Sequence, residues 1–405
     1  MRAVGIGLRW SLVLGCAVAM ACSSGGDAAG DNGRSDGGPC VPSQPKTPPE
    51  GTGCDGVPLL QLPEDPAAKG PWPVGARTVD IDGLTTEVWY PAKPGSEQCQ
   101  PKVEYDIRKH LPDSEQGKIP DSANPWQVCE CYRGLPIDDQ HGPYPVVLFI
   151  HGLAGFRTLS LSQQVHWASR GFIVLAADHP GITLKDVLAT LAGQGSGVQS
   201  DQVGDANKIL DAVEAHTGEL AFLSGHVDAQ HMAVGGHSAG GGAVAKLDDR
   251  PGLLVRMPMS AGGTTASPSL VSTLILGGMD DGIVAYSKLQ SAYDTTPATK
   301  RLVGVSNAGH GLPTDLCSLG SDQGGILQVG IKYGVQIPPL VATLATDGCG
   351  AKQIDPAVGT AIVEFASSAV LEETLMCSNS ATAELSAIQQ KYPEVGEYRE
   401  DTGPE

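Results

Sequence analysis

One short segment restricts the possible folds of this sequence more than any other: residues 236–240, which read Gly-His-Ser-Ala-Gly. An apolar strand pattern at residues 232–234 runs directly into it, and further small residues follow it and open a helix. A serine on a sharp strand-to-helix turn needs small neighbours, because strand and helix approach each other closely there. The segment therefore predicts a nucleophile elbow with Ser238 at its tip, at a helix N-terminus that favours developing negative charge.

Apolar runs alternate with helical patterns along the rest of the chain. Such runs are typical of strands that are buried on both faces of a parallel sheet, and the alternation predicts an α/β fold with a doubly wound, mostly parallel sheet. Right-handed crossovers would place the loops that follow these strands along one edge of the sheet, where sites form. The predicted strands cover residues 146–150, 172–177, 253–260, 270–277 and 300–305, and the predicted helices cover residues 160–169 and 203–215.

An N-terminal antiparallel hairpin precedes this sheet. Residues 78–91 alternate apolar and polar side chains around Asp82-Gly83, a dipeptide that is typical of a two-residue hairpin turn. Residues 92–144, which contain proline and cysteine, form an excursion before the first buried strand.

A serine nucleophile needs a histidine base that a carboxylate orients. On a sheet of this kind the acid and then the base follow the serine along the chain. His310 is the only histidine after Ser238, and Asp280 and Asp281 follow the strand pattern that lies between them. The sequence therefore predicts Ser238, Asp281 and His310 as a catalytic triad. Asp281 is favoured over Asp280 because it stands directly before Gly282, and the alternative is that one of the two aspartates only caps the next helix.

The loop after the strand at residues 146–150 reads His151-Gly152-Leu153. In the α/β-hydrolase fold this loop gives one backbone N–H to the oxyanion hole, and the residue after the nucleophile gives the other. We therefore predict the amides of Leu153 and Ala239 as the oxyanion hole, and His151 as a structural residue under the loop.

The sequence predicts neither a metal nor an organic cofactor. Residues 129–131 read Cys-Glu-Cys, but no second cysteine pair accompanies them and the remaining histidines lack ligand spacing. The formal net charge of −19 repels phosphate backbones, which excludes nucleic acid as an expected partner.

The N-terminus predicts export. Arginines precede an apolar run over residues 10–21, which is too short to span a bilayer and is typical of a signal peptide at residues 1–21. A small residue before Cys22 resembles a bacterial lipobox, so we expect a membrane anchor through lipidated Cys22 in the cell envelope, at the outer membrane. Cys16 is a second candidate for lipidation, and plain secretion after Ala21 is the third interpretation.

Residues 22–75 are rich in Gly, Ser, Asp and Pro, and predict a flexible tether ahead of a domain at residues 76–405. Of ten cysteines, eight remain after Cys16 and Cys22 are assigned to the signal and the lipid. An even number in an exported chain predicts disulfides whose pairing the sequence leaves open, with a Cys40–Cys54 bridge as one local possibility.

An insertion at residues 312–356 follows His310, ahead of a helical pattern at residues 359–376 with one apolar face. Because the insertion begins two residues beyond His310, it must emerge near the site. We predict an apolar lid stapled by a Cys317–Cys349 bridge; the alternative is packing over the sheet edge.

Three segments resemble platelet-activating-factor acetylhydrolases: residues 144–159, residues 168–174, and residues 105–112 ahead of them. The resemblance extends over about residues 77–310 and implies the α/β-hydrolase fold. It also implies a secreted or lipoprotein-associated esterase that cleaves short or oxidised acyl chains from lipids.

The position of the acid resembles a second group. Residues 261–263, Ala-Gly-Gly, carry no carboxylate where the acetylhydrolases place theirs. The segments at residues 280–283 and 307–310 instead resemble bacterial cutinase-like and polyester hydrolases.

These observations lead us to expect a carboxylic ester hydrolase that acts through an acyl-enzyme on short-to-medium acyl esters or lipid esters. A serine peptidase or amidase would use the same triad, although peptidases of this fold generally add a propeller or a large helical cap. A non-catalytic surface-binding lipoprotein is the other alternative, and the presence of Ser238, Asp281 and His310 in order argues against it.

Overall fold

A ten-stranded sheet forms the centre of the molecule in a computed structural model that describes residue 40 and residues 48–403. Long apolar strands make its middle, and short strands lie at its edge or outside it. The strands are β1 (Glu50–Thr52), β2 (Pro58–Leu60), β3 (Val74–Ile81), β4 (Leu84–Pro91), β5 (Val103–Tyr105), β6 (Gln127–Cys129), β7 (Tyr132–Arg133), β8 (Tyr144–Ile150), β9 (Ile173–Ala177), β10 (Val227–His237), β11 (Leu253–Met259), β12 (Ser272–Gly278), β13 (Lys300–Val305) and β14 (Val395–Asp401).

The helices connect these strands and pack on the sheet. Every residue of β8 and β9 is buried, as expected when both faces of a sheet are covered. The helices are α1 (Asp113–Gln116), α2 (Leu161–Ser169), α3 (Leu184–Leu191), α4 (Gln202–Ala215), α5 (Ala239–Val244), α6 (Tyr286–Thr295), α7 (Ile326–Lys332), α8 (Pro339–Leu344), α9 (Pro356–Leu375), α10 (Asn379–Ser386) and α11 (Ile388–Lys391).

The strand order of the sheet is β14-β13-β12-β11-β10-β8-β9-β4-β3-β7. The six strands from β13 to β9 in this order are parallel to one another, while β14 and the β3–β4 hairpin pair with them in the antiparallel sense. From β8 the chain moves first to β9 on one side and later to β10 on the other. The carboxyl ends of β8 and β10 therefore flank the switch point, where ligands bind in sheets of this kind.

The predicted mostly parallel sheet and its N-terminal hairpin are confirmed. The hairpin strands β3 and β4 pair from Val74 with Pro91 to Ile81 with Leu84, and Asp82 and Gly83 turn between them with positive φ angles of 50° and 83°. The edge strand β14 was not anticipated, because its sequence is largely polar.

The domain begins earlier than the sequence predicted. Residues 48–75 were assigned to a flexible tether, but they form β1 and β2 and bury Leu60 and Trp72. The indole nitrogen of Trp72 donates a hydrogen bond of 2.9 Å to Asp138. This packing corrects the prediction for residues 48–75; the rest of the predicted tether, apart from Cys40, and the predicted signal peptide lie outside the described residues.

Helix α9 lies deep in the core. It ends at Leu375, one residue before the predicted C-terminal end. It buries the polar side chains of Ser367 and Glu372 as well as the predicted apolar face, and both have partners. Trp167 donates a hydrogen bond of 2.9 Å to Ser367, and Glu372 forms an ion pair with the fully buried Arg170. Arg170 also donates to main-chain carbonyl groups of residues 63–68, which joins the N-terminal segment to this helix.

All eight cysteines among the described residues are disulfide-bonded, which confirms the prediction of disulfides. Cys317 pairs with Cys349 as predicted, and Cys129 pairs with Cys131. The suggested Cys40–Cys54 bridge is wrong, because Cys54 pairs with Cys377, 323 residues further along the chain.

Among the described residues, no helix has the length and apolar character needed to cross a membrane.

Candidate active site

The predicted turn at residues 236–240 connects β10 to α5. Ser238 stands between the two elements with φ 55° and ψ −116°, a backbone conformation that residues other than glycine rarely adopt. Its neighbours must be small: a Cβ atom on Gly240 would collide with the carbonyl oxygen of Ile150, and one on Gly236 would lie 2.6 Å from the carbonyl carbon of Gly240. The glycines therefore allow the strained turn that presents Ser238.

His310 lies in the loop after β13, and its side chain faces Ser238. The hydroxyl of Ser238 donates to Nε2 of His310 over 2.8 Å, and Nδ1 of His310 donates to Oδ2 of Asp281, also over 2.8 Å. His310 and Asp281 are 2% and 9% exposed, so the hydrogen bond between them is shielded from water, whereas the bond to Ser238 is only partly buried. The structure thus brings together the three side chains that the sequence singled out.

Asp281, and not Asp280, makes this contact. Oδ1 of Asp281 accepts hydrogen bonds from the amides of Ile283 (2.8 Å) and Val284 (2.7 Å), while Asp280 is exposed. Burial by itself raises the pKa of Asp281, but the hydrogen bonds from His310 and the two amides outweigh it and lower the pKa. Asp281 therefore carries a negative charge at neutral pH, in position to orient His310.

The loop after β8 lies against the serine. A Cβ atom on Gly152 would lie 3.0 Å from Cβ of Ser238, so the backbone of this loop approaches the hydroxyl closely. Ala239 is the first residue of α5, where amides have no partner within the helix. Leu153 and Ala239, the predicted oxyanion-hole residues, thus follow the two strands at the switch point and lie beside Ser238.

His151 is buried beneath this loop, as predicted. Its Nδ1 donates to the carbonyl oxygen of Gly152 (2.8 Å), and its Nε2 accepts the amide of His179 (3.1 Å). Burial lowers the pKa of His151 to about 4, and a neutral ring with one donor and one acceptor satisfies both hydrogen bonds. His151 holds the shape of the loop rather than moving protons.

A largely apolar pocket opens over Ser238 and His310. Besides the loop after β8, three separate chain segments wall it: the excursion between β5 and β6, helix α3, and the insertion after His310. The sequence predicted only the insertion, since the other two segments come into the site through tertiary packing. The apolar wall consists of Ile107, Leu111, Ile119, Pro125, Leu153, Ala154, Phe156, Leu159, Leu184, Leu188, Leu316, Ile326, Leu327, Val329, Val335, Ile337, Val341, Leu344 and Ala345.

Arg108 is the one charged side chain in the described wall apart from the histidines, and carboxylates engage it. It donates to both oxygens of Asp106 over 2.8 Å and pairs with Asp121 over 2.6 Å. Its guanidinium therefore holds the excursion together, and the pocket presents little unpaired charge to a ligand.

The insertion forms one side of this pocket rather than a cover for the sheet edge. Its helices α7 and α8 contribute Ile326, Val329 and Val341, and the Cys317–Cys349 bridge closes its base. Lys118 donates to the carbonyl oxygen of Gly334 over 2.9 Å, which joins the insertion to the excursion. These contacts favour the lid hypothesis over the alternative.

Groups of three or more His, Cys, Asp or Glu side chains with the spacing of a metal site are absent from residues 48–403.

Comparison with solved structures shows the fold. A ferulic acid esterase from Streptomyces cinnamoneus superposes with a TM-score of 0.53 at 21% sequence identity, over 76% of this chain and 92% of that chain. The chain has the α/β-hydrolase fold. The nucleophile elbow after β10, with acid and base after β12 and β13, occupies the positions that this fold provides for a triad.

Residues 65–192 match the family model described as platelet-activating factor acetylhydrolase, isoform II. The predicted resemblance to this family is thereby confirmed over the part of the chain that holds the excursion, β8 and the loop at Leu153. The matched range ends before Ser238 and so does not reach the three triad candidates. No curated protein matched the sequence. The family match supports an esterase, while the structural match shows the fold alone.

Proposed function

We propose that this protein is a carboxylic ester hydrolase that uses Ser238 as its nucleophile. The observation that carries the proposal is the hydrogen-bonded series Ser238–His310–Asp281 on the floor of an apolar pocket. Activation of a serine requires a hydroxyl that donates to a buried imidazole. An ionised carboxylate must in turn orient the imidazole.

The proposed reaction uses this geometry in two stages. Ser238 attacks the ester carbonyl carbon while Nε2 of His310 takes its proton, and the amides of Leu153 and Ala239 stabilise the oxyanion. The tetrahedral intermediate expels the alcohol, which receives the proton from His310, and leaves an acyl-enzyme. Water, activated by His310, then releases the acid and restores the serine.

The pocket favours an uncharged acyl group. Its wall is apolar and Arg108 is already paired, so a charged group would lose hydration without gaining a partner. We therefore propose short-to-medium acyl esters or lipid esters as substrates. The name of the structural neighbour adds ferulic acid esters as a class to test.

The decisive experiment is hydrolysis of p-nitrophenyl esters from acetate to palmitate, with methyl ferulate in parallel, by disulfide-intact protein. Ser238→Ala should abolish turnover, and the chain-length optimum will report the length of the pocket. Ser287→Ala, an exposed serine on α6, is the matched control and should retain full activity. Turnover that persists in Ser238→Ala would show that another residue is the nucleophile.

The same assay separates the alternatives. A peptidase or amidase would cleave p-nitroanilides with an efficiency comparable to that for esters. A non-catalytic binding protein would cleave neither substrate, and its Ser238 would not react with a fluorophosphonate probe.

We further propose, from the sequence alone, that the protein is exported and anchored in the bacterial envelope by lipid on Cys22. Cys22→Ser should move the protein from the membrane fraction to the soluble exported fraction. Retention of the Cys22→Ser protein in the membrane fraction would contradict this assignment.

A further inference from the structure

Asp347 lies in the insertion, just after α8 and two residues before Cys349. Oδ1 of its carboxylate accepts the amide of His310 over 2.6 Å, and Oδ2 accepts the amide of Gly282 over 3.1 Å. Its main-chain carbonyl oxygen accepts the amide of Gly311 over 3.0 Å. One residue outside the triad thus holds the backbone on both sides of the Asp281–His310 hydrogen bond.

These donors belong to the two loops that carry the acid and the base. Gly282 is adjacent to Asp281 in the loop after β12, and the amide of His310 belongs to the loop after β13. The Nδ1–Oδ2 distance of 2.8 Å depends on the separation between these loops. A carboxylate that binds one amide from each loop fixes that separation.

The loops leave room for the carboxylate. A Cβ atom on Gly282 would collide with Oδ2 of Asp347, and one on Gly309 would lie 2.5 Å from Oδ1. A side chain at either position would therefore displace the carboxylate from the amides that it binds.

Asp347 is itself held in place. Its amide donates to the carbonyl oxygen of Thr343 at the end of α8, and Cys349 is joined to Cys317 at the other end of the insertion. Gly348, with φ +96°, packs directly on Gly309: an added Cβ atom there would lie 3.1 Å from Cα of Gly309. The turn is therefore fixed by a helix end, a disulfide and a backbone contact.

We propose that Asp347 is a positioning residue through which the insertion aligns His310 with Asp281. The inference rests on the proposed function of the triad. It assigns to the insertion a second role besides forming the pocket wall, namely support of the base. Asp347 does not touch substrate; it acts through the backbone of the two loops.

Three variants test this role: Asp347→Ala, Asp347→Asn and, as the matched control, Asp355→Asn. Asp347→Ala should lower kcat roughly 10- to 100-fold while KM stays within about threefold, because the binding pocket is intact and only the base is misaligned. Asp347→Asn keeps one acceptor oxygen and should fall between wild type and Asp347→Ala. Asp355 binds the amide of Ala357 at the start of α9, over 2.8 Å, so Asp355→Asn should leave kcat unchanged.

A spectroscopic readout isolates alignment from stability. The proton on Nδ1 of His310 should give a downfield proton resonance in wild type and in Asp355→Asn, and the resonance should weaken or disappear in Asp347→Ala. A rise in KM with unchanged kcat, or an unchanged resonance and kcat in both Asp347 variants, would overturn the proposal. If Asp347→Ala fails to fold, Asp347→Asn carries the same comparison.

A separate measurement tests the proposed function itself. A fluorophosphonate reports the reactivity of Ser238 without any choice of ester, so its rate of labelling should rank the variants in the order of kcat. If wild type neither labels nor hydrolyses esters, the proposed function fails, and the His310 resonance then decides alone whether Asp347 aligns the pair.

Discussion

At the scale of single residues, Ser238 combines a strained backbone with a position that only small neighbours allow. Conformations of this kind cost on the order of 1–3 kcal/mol and persist because the surrounding structure fixes them. Here β10, α5 and the contact between Gly240 and Ile150 fix the turn. The strained backbone conformation directs the hydroxyl away from the sheet edge and towards His310.

This strain predicts a difference between two inactive variants. Ser238→Ala keeps the Cβ atom and the strain, whereas Ser238→Gly removes both. The Gly variant should have the higher free energy of unfolding, by roughly 1 kcal/mol. This difference already subtracts the entropic cost of glycine in the unfolded chain. Chemical denaturation of both proteins measures the difference; equal stabilities would show that the turn is not strained.

The two adjacent aspartates predict opposite outcomes. Asp281→Asn should lower kcat by roughly 10³- to 10⁴-fold, because the amide cannot hold His310 in the productive tautomer. Asp280→Asn should change kcat by less than about threefold, since Asp280 is exposed and makes no side-chain contact with His310. Ester hydrolysis by the two variants checks this assignment, and a reversed order would make Asp280 the acid.

The lowered pKa of Asp281 adds a pH dependence. Because its pKa is below the ordinary aspartate value, its ionised form stabilises the folded site above that value, and the contribution is lost as the pH falls through the lowered pKa.

The order of residues in the chain was enough to predict Ser238 and His310, because each follows a recognisable strand pattern. It placed the acid at Asp280 or Asp281 and favoured Asp281 only through its position before Gly282. Their roles in catalysis are predictions that the variants above test. Asp347 could not be found in this way: it follows a short helix in an insertion, and only the folded chain places its carboxylate between Gly282 and His310.

At the scale of elements, long apolar strands were predicted to within a few residues, because burial on both faces leaves a continuous apolar run. Short elements were not. Four of these short elements have seven residues or fewer: strands β5 and β6 and helices α7 and α8. Tertiary contacts and disulfides stabilise them more than the local sequence does. The pocket wall consists largely of such elements, so its composition could not be derived from the sequence.

The Cys317–Cys349 bridge predicts an element-scale effect. It closes a loop with a sequence separation of 32, so its removal in Cys317→Ser/Cys349→Ser should lower the free energy of unfolding by roughly 3 kcal/mol. Because Asp347 lies inside the closed loop, kcat should fall as well. Ester hydrolysis well below the unfolding temperature separates the two effects, and an unchanged kcat there would show that the bridge only stabilises.

At the scale of the whole molecule, one half-buried acid on α9 affects the dependence of stability on pH. Burial, together with the negative charge of Asp315, raises the pKa of Glu364 to about 8. His166, whose ring nitrogen lies 3.7 Å from Glu364, stays neutral at pH 7 because burial lowers its pKa to about 4. Glu364 therefore has no cationic partner among the described residues.

The sign of the effect follows. The folded protein retains a proton on Glu364 that the unfolded chain loses above about pH 4.3, so stability falls as the pH rises from there towards 8. Glu364→Gln should remove this slope and raise the free energy of unfolding at pH 8 by up to about 4 kcal/mol. Denaturation at pH 5 and pH 8 measures it; a parallel pH dependence in both proteins would contradict the assignment.

The Cys54–Cys377 bridge has a mechanical consequence. It ties the beginning of the domain to the residues just beyond α9, so the long stretch of chain between them, with the central strands and the triad, forms one covalent ring. If the proposed lipid anchor at Cys22 holds the protein to a surface, the N-terminus experiences tension whenever flow or a bulky ligand displaces the protein. Tension that reaches Cys54 is divided between the enclosed strands and the sulfur atoms, which lead directly to the end of α9. The site can thus keep its geometry under a load that would otherwise separate the paired strands of the sheet, beginning with the strand nearest the N-terminus.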